Sequence, residues 1–594
     1  MPITLNWGSA TAAPGAPPRA RQAPPPRLAA PRPGSAPAED RRAAGTTGIT
    51  AVAASGRNLI SSSAGMAIGT LASRLTGFLR TWVFVAALGE GELANAYNNA
   101  NTLPNTVYYL MLGGIFTSVV VPLLVRAARH DADGGEAYAQ RMFSLGVVAL
   151  GGVTVIGLAL TVPLVHLYAL GYTGAELNLT VFWAYLFIPQ IFFYGISSLA
   201  GAVLNARDSF AAPMWTPVVN NIVVIAVLLG FVAAAGFGVG PATITDGEVR
   251  LIGLGTTLGV AAQTAALVPA LGRAGFRWRP RFDFRRAELS EIWHMAGWMF
   301  GYIATTQVAV LATIRVANEA SVLAARAHVG YGAGYTPFAY AWQLFQMPYA
   351  IVGISVITAL LPRMSAHAAG RRPDRVRADF SAGLRLASAI VVPSSLILAV
   401  LGPALAEVLL AHGATSLASA RYMGVVFAMF CLGLTPYTMF QLQLRVFYAM
   451  HDSRTPALIG VVTMIVNVAA NYVALALLPP GHIVAGMGLG FGLSNLGGAA
   501  LAWRLLGRRL GGLGGRTIAP SLLRMHAAAL PAAALALAVT LAAGSALPLG
   551  RADALITATV AGCAATCLYL LLARRLRVTE VTEVVAALAA RMRR

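Results

Sequence analysis

From about Leu59 onward the sequence is a succession of long apolar runs parted by short polar connections, and no other feature constrains the fold as much. A helix rises about 1.5 Å per residue, so roughly 20 apolar residues cross the hydrocarbon of a bilayer. In that solvent every backbone N–H and C=O needs an internal partner, which a helix supplies within one segment. Fourteen such segments can be read, at about 59–88, 96–125, 142–168, 179–204, 213–236, 250–272, 290–314, 336–361, 384–411, 422–449, 457–479, 482–503, 519–545 and 552–573. Gly402-Pro403 is expected to shorten the ninth. Only 11% of the residues are charged and 57% are hydrophobic, too few charges for a water-soluble enzyme, which carries about 25%. The expected fold class is an all-α polytopic membrane protein.

Charge placement sharpens this. All 43 basic residues are arginine, against 22 acidic ones, for a formal net charge of +21. Nucleic acid or membrane phospholipid could each attract such a chain. With the N-terminus inside, 35 arginines fall in the terminal tails or the even-numbered connections. At most five (Arg250, Arg315, Arg326, Arg421 and Arg551) fall on the other side. This is the positive-inside pattern of a multi-pass protein of the cytoplasmic membrane with both termini cytoplasmic. Topology explains the charge, and no nucleic-acid partner is needed. Residues 1–56, rich in Ala, Pro and Arg, cannot bury a core and read as a disordered tail rather than a secretory signal.

An internal duplication is also legible. Asp208-Ser209 before Pro213 returns as Asp452-Ser453 before Pro456, and Leu103-Pro104 returns as Met347-Pro348, both at an offset of 244 residues. Two landmarks at one offset imply a repeated six-helix unit. Six is even, so the copies cross in the same sense, as parallel repeats. The expected organisation is a tail (1–56), an N-terminal lobe of six helices (57–286), a C-terminal lobe of six (287–510), two further helices (511–575) and a basic tail (576–594).

No enzyme motif accompanies these spans. Lysine is absent, which excludes a Walker-type ATPase. Cys431, Cys563 and Cys567 lie in apolar runs without companions to complete a metal set, and read as packing residues. His130, His294 and His451 sit near segment ends without ligand-spaced partners. Neither a metal nor another cofactor is expected.

The informative residues are polar groups inside spans, which are costly there. Arg74 lies near the middle of the first segment. Arg80 follows about 9 Å along the helix and about 120° around it. Guanidinium forks match phosphate oxygens, and the spans offer few carboxylates to pair with them, so a cationic site for an anionic headgroup is expected. Asn95, Asn98, Asn101 and Asn105 form one arc about 120° wide on the second segment. That arc suits a wet cavity or interhelical hydrogen bonds. Gln343 and Gln346, beside Tyr340, share a face of the eighth segment, and Asn467 and Asn471 share one of the eleventh. For these a substrate or ion role and interhelical bonding stand about even. Arg445 is expected to snorkel toward the cytoplasmic end.

The run Ser73-Arg74-Leu75-Thr76-Gly77-Phe78-Leu79-Arg80 resembles the SR-x-x-GF-x-R pattern of the MurJ/MviN family, the lipid II flippases of the MOP exporter superfamily. The likeness continues through Leu103-Pro104-Asn105, Gly114, Phe116 and Val121-Pro122. It extends to Gly201–Asn205, Phe210, Pro213, Pro217 and Asn221, and to Phe447-Tyr448-Ala449 with Arg454-Thr455-Pro456. The resemblance implies fourteen helices, two six-helix lobes around a cationic cavity, and a lipid-tail groove formed by helices thirteen and fourteen. Asn-Thr-Leu-Pro-Asn and Gln-Leu-Phe-Gln-Met-Pro look like the actinobacterial branch. Where many members carry paired arginines and a glutamate in helix two, this chain has Tyr108, Tyr109 and Gly113. Where they carry an arginine and an acidic residue in helix eight, it has Gln343 and Gln346, and an acidic position after the first helix is Asn95.

The implied activity is alternating-access export of the undecaprenyl-pyrophosphate-linked peptidoglycan precursor, or of another polyprenyl-linked glycan. A monovalent cation or the membrane potential would bias the two states, and divisome or other cell-wall proteins are candidate partners. The rival readings are a drug exporter, which would want intramembrane carboxylates, a non-transporting scaffold of a cell-wall complex, and an enzyme acting on the lipid carrier.

Overall fold

The structure, a computed structural model, describes residues 68–110, 120–169, 171–207, 209–283, 286–546 and 551–583. The tail expected at 1–56, Gly113 and Asp208 lie outside the described residues. Those described are helical, with no strand among them. In chain order the helices are α1 (Ile68–Leu88), α2 (Glu92–Leu110), α3 (Val121–His130), α4 (Glu136–Ala159), α5 (Thr161–Tyr168), α6 (Gly174–Phe187), α7 (Gln190–Ala206), α8 (Ala211–Ala235), α9 (Asp246–Ala265) and α10 (Val268–Arg273). They continue as α11 (Arg286–Arg326), α12 (Tyr335–Tyr349), α13 (Ser355–Ala369), α14 (Pro373–Leu410), α15 (Leu417–Leu432), α16 (Leu434–Ala449), α17 (Arg454–Leu477), α18 (Ile483–Leu510), α19 (Gly515–Ala546) and α20 (Arg551–Arg575).

Among the described residues eleven helices are long and apolar enough to cross a membrane, or twelve if α15 and α16, bent by 46°, make one span. The expected fourteen are not reached. The shortfall falls at two expected segments. At 96–125, helix α2 stops at Leu110 and residues 111–119 lie outside the description. At 336–361, a π turn over Ala350–Ile354 parts α12 from α13, just after Pro348. Two expected boundaries also move. Helix α11 runs to Arg326 rather than 314, so Arg315 and Arg326 are helical instead of lying in a connection. Helix α14 passes through Gly402-Pro403 to Leu410.

The helix also accommodates an earlier proline, Pro393. Proline has no N–H, so the carbonyl four residues earlier loses its helical donor. For Pro393 that carbonyl belongs to Ala389, and the buried Tyr569 hydroxyl of α20 donates to it at 2.7 Å. Where α14 meets α15, Gly402 and Gly424 let the backbones touch, since a Cβ on Gly402 would lie 2.7 Å from the Gly424 carbonyl oxygen. The α15–α16 bend sits at Gly433, which rests against Gly492 of α18. Lipid tails are as apolar as leucine, so close packing of small residues, rather than expulsion of water, holds such helices together. The α14–α19–α20 core follows suit, with Ala389, Ala528, Ala529, Ala532, Ala536, Ala561 and Ala565 all buried.

Ion pairs show which connections share an end of the bundle. Glu136, after the second span, pairs with Arg207 after the fourth, and Arg141 reaches Asp283 after the sixth at 3.5 Å. Asp452, after the tenth, pairs with Arg509 after the twelfth, and Arg385 meets Glu580 of the C-terminal segment at 2.7 Å. Odd-numbered connections meet one another instead. Ala414, after α14, donates its N–H to the Ala86 carbonyl at 2.8 Å, and the Tyr331 hydroxyl after α11 reaches the Gly481 carbonyl at 3.5 Å.

Candidate substrate interface

Helices α1 and α2 face α11, α12 and the segment after α14 across a seam. Its odd-connection end is tied shut by uncharged groups. Asn95 is buried with both amide atoms engaged: Oδ1 accepts from the Thr336 backbone N–H at 3.0 Å, and Nδ2 donates to Ser321 Oγ at 3.3 Å. Asn98 Nδ2 donates to Thr336 Oγ1 at 3.0 Å. Asn99 and Asn318 donate to each other at 3.0 and 2.9 Å, with the Tyr172 hydroxyl and the Tyr168 carbonyl completing a buried network. Two turns further along α12, Gln343 Nε2 donates to Thr81 Oγ1 at 2.8 Å. At the rim the Trp82 and His412 rings stack at 4.2 Å, and Thr415 Oγ1 donates to the Val85 carbonyl at 2.9 Å.

Glu90, in the loop between α1 and α2, closes the same end. Burial pushes its carboxyl up to about 8, against the backbone hydrogen bond at Gly332. Tyr422, stacked on Tyr331 at 4.4 Å, lies within its field.

Toward the other end the seam loosens. The first three turns of α1 hold to α8 through Asn221, whose Nδ2 reaches Thr76 Oγ1 at 3.0 Å, while Ile68, Leu71 and Leu75 are exposed. Arg74 lies exposed on this stretch, with no carboxylate partner among the described residues. Arg80 is half-buried near the seam, with its charge felt at the Tyr97 and Tyr340 hydroxyls. Asn101, whose Oδ1 is buried without a partner, follows the tied residues along α2. Asn105 and Gln346 are half-buried. Along α1, then, Arg74 is exposed and Arg80 half-buried on the side of the amide ties away from the odd-connection end.

Sequence reading and structure part company at several points. Of the asparagine arc, Asn95 and Asn98 bond between helices instead of lining a wet path. Gln343 is likewise engaged. Asn471 reaches Thr313 Oγ1 on α11 at 3.1 Å. Arg445 lies over the Tyr448 ring at 5.7 Å, its Nε buried and unpartnered. Thr81, Glu90, Asn99 and Asn318 went unread. Asn99 sits just outside the arc, and Asn318 lies beyond the seventh apolar segment, where α11 continues past its apolar stretch.

A multi-pass helical bundle whose seam is tied at one end by interhelical amides is consistent with a membrane transporter. The family model described as Lipid II flippase MurJ matches residues 84–549, and the chain belongs to that family. Similar proteins include the probable lipid II flippase MurJ of Rhizobium meliloti (strain 1021). It is 28% identical over 421 residues, covering 69% of this chain and 74% of the relative. The lipid II flippase MurJ of Burkholderia cenocepacia is 28% identical over 438 residues, covering 72% and 80%. In fold the chain is similar to a solved lipid II flippase MurJ in an inward closed conformation. That match has a TM-score of 0.68 at 15% identity, over 86% of this chain and 99% of that one. It is also similar to an inward-facing multidrug resistance MATE family transporter of the MOP superfamily, with a TM-score of 0.61 at 14% identity over 74% and 95%.

Proposed function

We propose that the chain moves lipid II, the undecaprenyl-pyrophosphate-linked peptidoglycan precursor, from the cytoplasmic to the outer leaflet. The observation that carries this reading is the pairing of a tied odd-connection end with Arg74, exposed on the loose first turns of α1, and Arg80, half-buried near the seam, neither with a carboxylate partner among the described residues. The odd-connection end is outward and both termini are cytoplasmic, in keeping with 35 arginines on the other side. Substrate enters from the cytoplasmic leaflet, and the guanidinium groups of Arg74 and Arg80 take the pyrophosphate, whose oxygens they match in geometry and charge. Asn101, Asn105 and Gln346 meet the polar sugar and peptide, while the polyprenyl tail stays in lipid.

The lobes at 57–286 and 287–510 then rock, so that Asn95, Asn98 and the Asn99–Asn318 pair part and the outer end opens. A lobe that rocks under substrate needs differential affinity for the two states, which a monovalent cation or the membrane potential supplies. Two of the buried carboxylates are engaged with arginine: Glu407 binds Arg421 at 2.6 Å, and Asp379 binds Arg363 at 3.0 Å.

The test is complementation. In cells depleted of their native lipid II flippase, the wild-type chain restores growth and outward exposure of lipid II, and Arg74→Ala with Arg80→Ala abolishes both. Full rescue by the double variant removes the phosphate role from these arginines. Failure of the wild-type chain itself assigns the activity to another polyprenyl-linked glycan or to a scaffold.

A further inference from the structure

Away from the seam, residues of α14, of the start of α19 and of the segment after α20 line a half-open cavity of about 330 Å³. Four arginines line it: Arg385 from α14, Arg516 and Arg524 from the first turns of α19, and Arg577 from the segment that follows α20. The carboxylate among its lining residues, Glu580, is buried and bound to Arg385 at 2.7 Å. Three exposed guanidinium groups therefore face one space with no carboxylate partner among the described residues.

Two further observations show that this is more than a basic surface. Serine within a helix ordinarily returns its hydroxyl to a carbonyl four residues back, as Ser144, Ser198 and Ser394 do. Ser521, on the cavity wall between Arg516 and Arg524, does not: its hydroxyl is buried without a partner. A buried polar atom left so costs free energy unless a ligand or water satisfies it. Arg577, in turn, holds a left-handed backbone with φ 53°, which side-chain-bearing residues seldom adopt. This bend turns the chain out of α20 so that Val578 and Val581 bury against the bundle, leaving Arg577 at the cavity.

The site lies where apolar spans end. Leu523, Leu530 and Leu571 are among the exposed apolar side chains of α19 and α20, a surface suited to acyl chains rather than water. Basic pockets between spans at this depth suit lipid headgroup phosphates.

We propose that this cavity binds the phosphate of an anionic glycerophospholipid of the surrounding leaflet, with Arg516, Arg524 and Arg577 forking its oxygens and Ser521 donating its hydroxyl. The site shares no residue with the seam, so it stands whether or not lipid II is what crosses there.

Native mass spectrometry of the full-length chain tests it, with cardiolipin, phosphatidylglycerol, phosphatidylcholine and inorganic phosphate as separate probes. Cardiolipin and phosphatidylglycerol are retained in preference to phosphatidylcholine. Together Arg516→Ala, Arg524→Ala and Arg577→Ala weaken that retention roughly a hundredfold, at about fivefold per arginine near a membrane surface. Should the triple variant fail to fold, Arg516→Gln and Arg524→Gln, each at an exposed side chain, each show the single-arginine loss of about fivefold. Equal retention of phosphatidylcholine overturns the proposal, as does undiminished retention by folded variants. Binding of inorganic phosphate as tight as that of the lipids also overturns it and leaves a free-anion site.

Discussion

The Tyr569 hydroxyl donates at 2.7 Å to the carbonyl of Ala389, the acceptor that Pro393 strips of its helical donor. A bond from α20 thus repairs a defect inside α14 and pins the C-terminal helix pair to the bundle. Tyr569→Phe keeps the ring and orphans the carbonyl. A buried acceptor left unsatisfied costs about 1–3 kcal/mol, so this variant is expected to melt several degrees lower in detergent. Adding Pro393→Ala, which restores the helical donor, returns most of the loss. A double-mutant cycle on the melting temperature measures the coupling, and additive losses would refute the repair.

Closure of the odd-connection end can be trapped. A Cβ built on Gly89 lies 3.5 Å from that of Ala414, within the span a disulfide bridges. With Cys431, Cys563 and Cys567 replaced by alanine, Gly89→Cys and Ala414→Cys form a disulfide on mild oxidation. Lipid II exposure then stops and resumes on reduction. Unimpaired transport in the cross-linked protein would show that this end need not open.

Seal strength should fall as pH rises. Burial raises the Glu90 carboxyl from an ordinary 4.5 to about 8, so sealing takes up a proton. The contribution is complete below about pH 4.5 and is lost as pH climbs through about 8. Spin labels at Gly91 and Ala327 should report a separation that widens between pH 6 and 9 in the wild type. In Glu90→Gln it stays constant. A wild-type distance that ignores pH counts against the carboxyl as a latch.

The α15–α16 bend depends on contact between Gly433 and Gly492, where a Cβ on Gly433 would meet the Gly492 Cα at 2.7 Å. Gly433→Val forces two backbones apart and should cost about 2 kcal/mol or more, an overpacking effect. Serine at the same position costs less. Thermal melting of both variants checks the order.

How much of this was legible follows the range of the forces involved. Apolar period and arginine placement are properties of each segment, and the helices with their alternation follow from them. The faces of α2 were half legible: an amide arc marks a polar face, but not what that face meets. Asn95 finds Ser321 and Thr336, and Asn99 finds Asn318, across more than 200 residues of chain, and no local rule encodes such partners. Boundaries failed where a helix ran on through a glycine-proline pair packed against a neighbour, as α14 does at Gly402-Pro403 beside Gly424, or where one helix outran its apolar core, as α11 does.

The described groups that tie α1 and α2 to α11 and α12 are hydroxyls and amides. Debye screening acts on charges, so changing ionic strength barely alters their hold. A gate latched by ion pairs would loosen in brine and stiffen in fresh water. This one keeps the same threshold in both, leaving the decision to open with the cargo and with the proton on Glu90.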